Sequence, residues 1–475
     1  MNRTFYTFLI IFIAFSSRVF AGDTGGYLLK FKIKNMKAGA SCLLANYYGG
    51  NQYKQDSAVT NDKGELVFKG TEKYPQGVYL IILPSKKYFD FIMDAGQNFS
   101  METDTTDFVK DMVVKNSAEN KFFYDYQNFM SSKQKQVEPL QSAYKRVKDS
   151  NKDSLKMVQD KLTAIDKEVK DYKINFIKNN PKTFVSQLFL AMEEPEIPQA
   201  PMLANGKKDT TFAYHYYKTH FFDHVDFSDE RLLRTPIFHK KINDYMDKLT
   251  PQTPDSIDIS VDYIIEKSRA NPEMFKYIVS ALTFKYEDSK IMGMYGVFVH
   301  LVEKYYATKQ VNWVDSAQMY KIVDKGTWLK YTIIGAQAPQ LTMNDTSGNP
   351  VSLYDIKSKY TVVVFWEQAC GHCKKEIPEL MELYKTKLKA KGVQVYAIES
   401  EEKLPEWKKF VKEHDLNWIN VWEKDDYKRA LAKKLYFVET TPTLVLLDEN
   451  KIVRARKIDP SQIEGIIDYL EKQKN

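Results

Sequence analysis

The chain has 475 residues, of which 43% are hydrophobic and 14% aromatic. This composition excludes an intrinsically disordered chain, and the length suffices for about three ordinary domains. The formal net charge of +7 comes from 69 basic and 62 acidic side chains, with the lysines interleaved among the acids. Interleaved charges are typical of solvated helix faces, so the sequence argues against binding to nucleic acid.

The first 21 residues have the features of a secretory signal peptide. A basic start containing Arg3 precedes an apolar run at residues 8–15, which is too short to span a bilayer. Small residues at Val19 and Ala21 lie where signal peptidase cleaves. We therefore expect a signal peptide over residues 1–21, cleaved near Ala21, and a periplasmic protein without stable membrane insertion. A membrane anchor is the alternative interpretation.

Residues 27 to about 104 contain short segments rich in β-branched and aromatic residues, separated by turn signals. The predicted strands are YLLKFKIKN, SCLLANYY, ELVFKG, GVYLIIL and YFDFIMD. Strands at this spacing predict a β-sandwich-like or barrel-like domain, which we assign to residues 22–110.

The hydrophobic period then becomes helical. Residues 120–148 and 154–179 form two long, charged, amphipathic segments, which predict an antiparallel helix pair. Further helical patterns follow, with one helix start expected at residues 228–230. We predict an α-helical middle domain over residues 111–330. Neither this domain nor the preceding one contains a motif whose chemistry can be named.

The last segment alternates strand and helix, which indicates an α/β domain at residues 331–475. Residues 360–365 (YTVVVF) are nearly all apolar, as in a strand that is buried on both faces. A helix is expected to begin at Cys370. Further strands are expected at residues 393–398 and 443–447.

Cysteine usage points to redox chemistry. Only three cysteines are present, and two belong to one C-x-x-C motif, Cys370-Gly371-His372-Cys373. Such a close pair is redox-active or binds metal, but zinc needs two more ligands, and the sequence has no second cysteine or histidine pair nearby. We therefore expect no metal and no organic cofactor. The third, Cys42, alternates with apolar residues and is expected to be a small buried hydrophobe.

Disulfide exchange requires a thiolate, and a helix start favours one. The free N–H groups and the positive end of the helix dipole lower the pKa of a cysteine at that position. Cys370 is therefore predicted to be the exposed, attacking thiol. Cys373 lies about one turn deeper and is predicted to attack the mixed disulfide and release the substrate.

The motif and its surroundings resemble the thioredoxin superfamily, most closely exported TlpA/ResA-like thiol-disulfide oxidoreductases. The resemblance covers the chain from about Ile334 onward. It rests on Phe365-Trp366 before the cysteine pair, Cys370 and Cys373 themselves, the continuation Lys374-Lys375-Glu376-Ile377-Pro378, the dipeptide Thr441-Pro442, and the segments GAQAP at residues 335–339 and GNPVSL at residues 348–353. The preceding domains resemble accessory domains of unknown function in exported Bacteroidota proteins.

The resemblance implies a thioredoxin-like fold and a cis proline at Pro442. In that fold the backbone of Thr441 lies beside the Cys370 sulfur, where it can pair with an extended substrate strand. Trp366 and Gly371 are the other two residues expected in the substrate-binding site.

His372 departs from the reductant pattern. Thioredoxin-like reductants usually carry proline there, whereas Gly-His resembles protein disulfide isomerase. A histidine beside the pair can stabilise the thiolate, so we expect a reduction potential above the thioredoxin value of about −270 mV and nearer about −180 mV. An exposed, solvating histidine is the alternative. Glu376 matches an acid that the family holds near the pair and is our candidate proton acceptor for Cys373. Glu367 is a second candidate.

The sequence thus predicts a multidomain, exported thiol-disulfide oxidoreductase that exchanges disulfides with protein cysteines. Its expected partners are cysteine-containing exported proteins and a redox partner, and homo-oligomer formation is left open. Two alternatives are a thiol peroxidase of the peroxiredoxin type and a non-enzymatic binding or assembly protein with an incidental thioredoxin module. Glu367, three residues before Cys370, does not fit the peroxidatic P-x-x-x-[TS]-x-x-C pattern.

Overall fold

The computed structural model describes residues 25–147, 152–401 and 404–474. They form two compact units. The first unit comprises the described residues up to 196, 222–226 and 231–240, and the second comprises 197–221, 227–230 and the described residues from 241 onward. The predicted signal peptide over residues 1–21 lies outside the described residues.

The first unit begins with two four-stranded sheets. Their strands are β1 (Tyr27–Lys34), β2 (Ser41–Tyr48), β3 (Asn51–Val59), β4 (Glu65–Gly70), β5 (Gly77–Ile82), β6 (Tyr88–Met93), β7 (Asn98–Asp104) and β8 (Val113–Lys115). One sheet has the order β4-β1-β7-β8 and the other β3-β2-β5-β6. Buried side chains from both sheets share one core, among them Phe31, Phe99, Leu44 and Phe91, so the predicted sandwich-like domain is confirmed.

Strands β3, β7 and β8 were not among the predicted strands. Strand β3 lies at the edge of its sheet and has no buried residue, so its sequence NQYKQDSAV shows no apolar alternation. Its strand character comes from the backbone ladder to β2. Cys42 in β2 has no exposed surface, as predicted for a small buried hydrophobe.

Three helices complete the main part of this unit. They are α1 (Ala118–Val147), α2 (Lys152–Asn179) and α3 (Phe184–Met192). Helices α1 and α2 pack through aromatic side chains, with the rings of Phe129 and Tyr172 stacked at 4.4 Å. The Glu119 carboxylate in α1 accepts hydrogen bonds from the backbone of Phe184 and Val185, which caps the start of α3.

The helices continue as α4 (Phe212–His220), α5 (Pro236–Lys248), α6 (Pro254–Ser268), α7 (Pro272–Glu287), α8 (Tyr295–Leu301) and α9 (Ser316–Leu329). A helical segment begins at the predicted residues 228–230, where Glu230–Arg234 forms a 3₁₀ helix, and the α-helix follows from Pro236. Leu232, Leu233 and Arg234 of this short helix are buried.

The second unit ends in a seven-stranded sheet with helices. The strands are β9 (Thr342–Asp345), β10 (Pro350–Ser352), β11 (Tyr360–Trp366), β12 (Val393–Glu399), β13 (Ile419–Trp422), β14 (Thr443–Asp448) and β15 (Val453–Arg456). The helices are α10 (Gly371–Leu383), α11 (Leu404–Glu413), α12 (Asp426–Leu435) and α13 (Ile463–Lys474). Strand β13 was not predicted, and β12 extends one residue beyond its predicted end, to Glu399.

The sheet order is β10-β9-β13-β12-β11-β14-β15. Strands β11, β12 and β13 are parallel, whereas β14 runs antiparallel to β11. Helix α10 connects β11 to β12 and therefore begins at the carboxyl end of these parallel strands. The fold is a strand-rich domain, a helical middle region and a C-terminal thioredoxin-like α/β domain, as predicted. The domain bounds near residues 110 and 330 stay a prediction.

Within the described ranges, every helix is too short or too polar to cross a membrane.

Candidate redox site

The site is built where strand β11 ends and helix α10 begins. Strand β11 is buried along its whole length and ends at Trp366. A short loop leads to Cys370, which is the N-cap residue of α10 with extended backbone angles (φ −70°, ψ 127°). The N–H groups of the first helical turn therefore point toward the Cys370 side chain.

Cys370 is partly exposed, and its thiol donates a hydrogen bond to the carbonyl oxygen of Thr441 at 3.4 Å. Partial burial raises the pKa of this thiol, but hydrogen bonds outweigh that effect and hold the pKa below its ordinary value. They come from the backbone N–H and thiol of Cys373, the Thr441 side chain and the backbone N–H of His372. Cys370 is therefore suited to be the nucleophile.

Cys373 lies one helical turn further and has no exposed surface. Burial raises the pKa of its thiol to about 12, and the backbone N–H of Glu367 offsets only part of that effect. The two cysteines thus differ in the way disulfide exchange requires. Cys370 is accessible and inclined to ionise, whereas Cys373 is enclosed and retains its proton.

The loop that faces Cys370 precedes β14. The Thr441–Pro442 peptide bond is cis, as the resemblance implied. Thr443, the first residue of β14, pairs with Phe365 of β11 and donates its hydroxyl to the carbonyl of Thr440 at 2.6 Å. This pairing fixes the loop beside the end of β11, so that Thr441 reaches the Cys370 sulfur.

The remaining predicted residues occupy different environments. Gly371 and His372 are exposed, and a Cβ added to Gly371 would meet nothing within 4 Å. A partner can therefore approach the pair from this side. Trp366 was expected to bind substrate, but it has no exposed surface and lies in the core with Cys373. Trp366 therefore packs beneath the cysteine pair, and its contact with a substrate stays a prediction.

The two predicted proton acceptors, Glu376 and Glu367, are both less buried than the Cys373 thiol. Glu376 is half-buried; burial raises the pKa of its carboxyl, Asp459 adds to the increase, and His372 opposes it. The Glu367 carboxylate forms an ion pair with Lys433 at 3.0 Å. Both groups already have charged neighbours other than a cysteine.

The sequence prediction missed a third acid, Glu399, at the end of β12. It has no exposed surface, and burial raises the pKa of its carboxyl to about 8. The available signal was an acid that directly follows the apolar run VQVYAI. A strand prediction that stops at Ile398 conceals it, because the acid then belongs to a loop.

Among the described residues, no group of three or more His, Cys, Asp or Glu side chains is arranged to hold a metal ion.

Comparison with known proteins matches the redox domain to characterised families. The AhpC/TSA family model matches residues 334–456. The chain is 33% identical to the thiol-disulfide oxidoreductase ResA of Bacillus cereus over 139 residues, which are 29% of this chain and 78% of the relative. The chain belongs to the ResA-like thiol-disulfide oxidoreductases. ResA of Bacillus subtilis is 32% identical over 138 residues, which cover 73% of its length.

Other matches cover parts of the chain. The crystal structure of a domain of a possible thiol-disulfide isomerase from Cytophaga hutchinsonii is 37% identical, with 30% of this chain and 95% of that chain covered and a TM-score of 0.27. Two domains of unknown function, DUF4369 and DUF5106, match residues 27–123 and 154–325. This ResA-like chain is thus an enzyme whose thioredoxin-like domain is a thiol-disulfide oxidoreductase. Neither the peroxidase nor the non-enzymatic alternative is favoured.

Proposed function

We propose that the protein is an exported thiol-disulfide oxidoreductase that exchanges disulfides with cysteine-containing proteins through Cys370 and Cys373. The observation that carries the proposal is the contrast between the two thiols. Cys370 is accessible and has a lowered pKa, whereas Cys373 is buried with a pKa of about 12.

In the reducing direction, the Cys370 thiolate attacks one sulfur of a substrate disulfide. A bond forms between that sulfur and Cys370, the substrate disulfide breaks, and the other substrate sulfur leaves as a thiolate. Cys373 then loses its proton and attacks the Cys370 sulfur. The intramolecular disulfide forms, and the second substrate sulfur leaves with the bonding electron pair. Oxidation of a substrate dithiol runs through the same steps in reverse.

The surroundings of the pair support a protein substrate. Gly371 leaves open space beside Cys370, and the Thr441 backbone lies within hydrogen-bonding distance of its sulfur. An extended peptide that places a cysteine on Cys370 can pair with this backbone in the manner of an added strand. Pro442 has no backbone N–H and therefore leaves the carbonyl of Thr441 as the group offered there.

The export proposal depends on residues 1–21, whose basic start and short apolar run are typical of a cleaved signal. The expected partners are then exported proteins with cysteines and a second redox protein that resets the pair. Amino-terminal sequencing of protein recovered from the periplasm should begin near Gly22. A chain that retains Met1 in that fraction would contradict cleavage.

Trapping tests the exchange reaction. In Cys373→Ser the first step proceeds but the second cannot, so exported cysteine proteins should accumulate as mixed disulfides on Cys370 that a reductant releases. The matched control is Cys370→Ser combined with Cys373→Ser, which should trap none. If the single variant traps no more than the double variant, the proposed reaction is wrong.

A further inference from the structure

The Cys373 thiol must lose its proton in the second step of the proposed reaction. The surroundings of Glu399 indicate which group can accept that proton. Glu399 is the last residue of β12 and lies between two parallel strands. In the strand register it is opposite Trp366 on β11 and opposite Trp422 on β13. Side chains at paired positions of parallel strands project to the same face of a sheet, so tryptophans flank Glu399 on both sides.

The face to which Glu399 projects is the one that α10 covers. Side chains alternate along a strand, and Val395 and Ala397 of β12 belong to the buried cluster that includes Cys373. Glu399 is the next residue in that alternation. Its carboxyl group therefore projects from the sheet toward the face that contains Cys373.

The start of α10 brings Cys373 to the same end of the sheet. The helix begins at the carboxyl ends of the parallel strands, and Cys373 occupies its first turn on the buried side. Trp366 and Glu399 are the final residues of β11 and β12. The enclosed thiol and the buried carboxyl thus share one end and one face of the sheet.

The polar groups at this end are incompletely paired. One Glu399 carboxyl oxygen accepts a hydrogen bond from the Glu401 backbone at 2.9 Å. Within the described residues its other oxygen, Oε2, has no hydrogen-bond partner, and neither has the indole nitrogen of Trp366 or of Trp407. Buried polar atoms in native proteins usually have a hydrogen-bond partner, so each of these three atoms needs an explanation, of which a catalytic role is one.

The groups around Glu399 favour its neutral form. Burial is the largest cause, and the carboxyls of Glu401 and Glu367 add to it, while the Glu401 and Ser400 backbone N–H groups act in the opposite direction. Helix α10 contributes Cys373 to this face, whereas α11 contributes Trp407 and Phe410. With a pKa of about 8 the carboxyl changes protonation near neutral pH.

We propose that Glu399 is the group that accepts the proton of the Cys373 thiol. The proposal rests on the proposed function and assigns the proton transfer within it. As the S–H bond of Cys373 breaks, its proton passes to the Glu399 carboxylate, and the sulfur attacks the Cys370 sulfur of the mixed disulfide. The substrate thiolate that leaves takes a proton from solvent. In the reverse direction neutral Glu399 returns the proton as Cys373 becomes the leaving thiolate.

The other two acids fit this role less well. Glu376 is on a half-exposed part of α10, where Asp459 and His372 are the charged groups that most affect it. The Glu367 carboxylate is occupied by its ion pair with Lys433. Glu399 alone of the three is both fully buried and in register with Trp366.

The two chemical steps can be observed separately in the full chain with 2,2′-dipyridyl disulfide. Attack by Cys370 releases the first equivalent of pyridinethione, and attack by Cys373 on the resulting mixed disulfide releases the second. In Glu399→Gln the first release should keep its rate, while the second should slow about 100-fold near neutral pH. Cys373→Ser should show the first release alone, which also measures any contribution from buried Cys42.

Glu379→Gln is the matched control, because Glu379 is an exposed acid of the same helix, and it should change the second release less than threefold. If Glu399→Gln leaves the second rate unchanged, or if Glu376→Gln is the slower variant, the assignment is overturned. If the native chain shows no first release, the proposed function itself fails.

Should Glu399→Gln not fold, the pH dependence of the second release in the native chain tests the assignment. A second release that rises through about pH 8 supports the assignment, and one that rises only near the thiol pKa of about 12 overturns it.

Discussion

Polar groups are buried at both ends of the seven-stranded sheet, but the two ends differ in whether those groups have hydrogen-bond partners. At the end where β11 starts, Asp448 pairs with Tyr360 across the ladder between β14 and β11. At the other end Glu399 pairs with Trp366. Since one sheet provides both environments, the difference between them reflects side-chain partners and not the backbone.

At the starting end the buried charges have partners. Lys451 has 3% exposed surface and donates to the carbonyl of Ile356 at 2.9 Å and to the Thr361 hydroxyl at 3.0 Å. Asp448 accepts from the Ile452 backbone at 3.0 Å and from the Arg454 side chain. Groups paired in this way hold the turn between β14 and β15 and stabilise the fold.

The opposite end of the sheet, where β11 ends and the Cys370–Cys373 pair lies, is called the redox end. Here one carboxyl oxygen of Glu399 and the indole nitrogens of Trp366 and Trp407 have no hydrogen-bond partner among the described residues. Local departures from full pairing are expected at functional sites, where a group must change its protonation state. The comparison teaches that burial alone does not distinguish a structural charge from a reactive one. The two kinds of buried charge are distinguished by whether the group has a hydrogen-bond or ion-pair partner.

The largest effect is expected from Cys370→Ser, which tests whether the redox end holds the chemistry. A serine hydroxyl does not ionise near neutral pH, so thiol exchange should fall by several orders of magnitude. The Cys370 position is partly exposed, and the unfolding midpoint should therefore change little. Insulin reduction and urea unfolding measure the two quantities. If this variant keeps its thiol-disulfide exchange activity, the redox end is not the reactive region.

The pH dependence of stability sharpens the comparison. The Glu399 carboxyl has a pKa of about 8 in the folded chain against an ordinary value of 4.5. Its contribution to stability is therefore fully present below about pH 4.5 and is lost as pH rises through about 8. The native chain should lose up to about 1.4 kcal/mol per pH unit relative to Glu399→Gln over this window. Urea unfolding at several pH values measures the difference, and parallel curves would contradict it.

Lys451→Met tests the paired end. Methionine keeps most of the aliphatic stem but leaves the Ile356 carbonyl and the Thr361 hydroxyl without their donor. We expect a loss of about 2 kcal/mol in the free energy of unfolding with no change in either step of thiol exchange. If thiol exchange slows while the free energy of unfolding is unchanged, the contrast between a structural end and a reactive end of the sheet is wrong.

The smallest expected effect is that of His372→Pro. His372 is exposed, and its replacement removes both the imidazole and a backbone N–H that lowers the pKa of Cys370. The reduction potential should fall by about 30 mV, a tenfold change in the equilibrium constant. Redox titration in dithiothreitol buffers measures it. An unchanged potential would show that His372 only solvates the surface, and a fall would favour oxidation or isomerisation as the native direction.

Much of the redox domain could be predicted because its signals are local. The apolar run before Trp366, the start of a helix at Cys370 and the Thr441-Pro442 dipeptide each predict their structure without distant contacts. Strand β13 was missed because its four residues are too short to show a period. Strand β3 was missed for a different reason, since an exposed edge strand needs no apolar alternation.

The sequence by itself determined the order of domains and the position of the cysteine pair, with Cys370 at the start of a helix and Cys373 one turn further, because helix position and cysteine spacing are properties of consecutive residues. The tertiary structure alone decided that Trp366 is enclosed and that Glu399 is buried at the same end of the sheet as the cysteine pair. Glu399 is 26 residues from Cys373 along the chain, and only the register of β12 with β11 brings its carboxyl to the same end of the sheet. Strand register depends on packing between distant segments, so no local pattern encodes it.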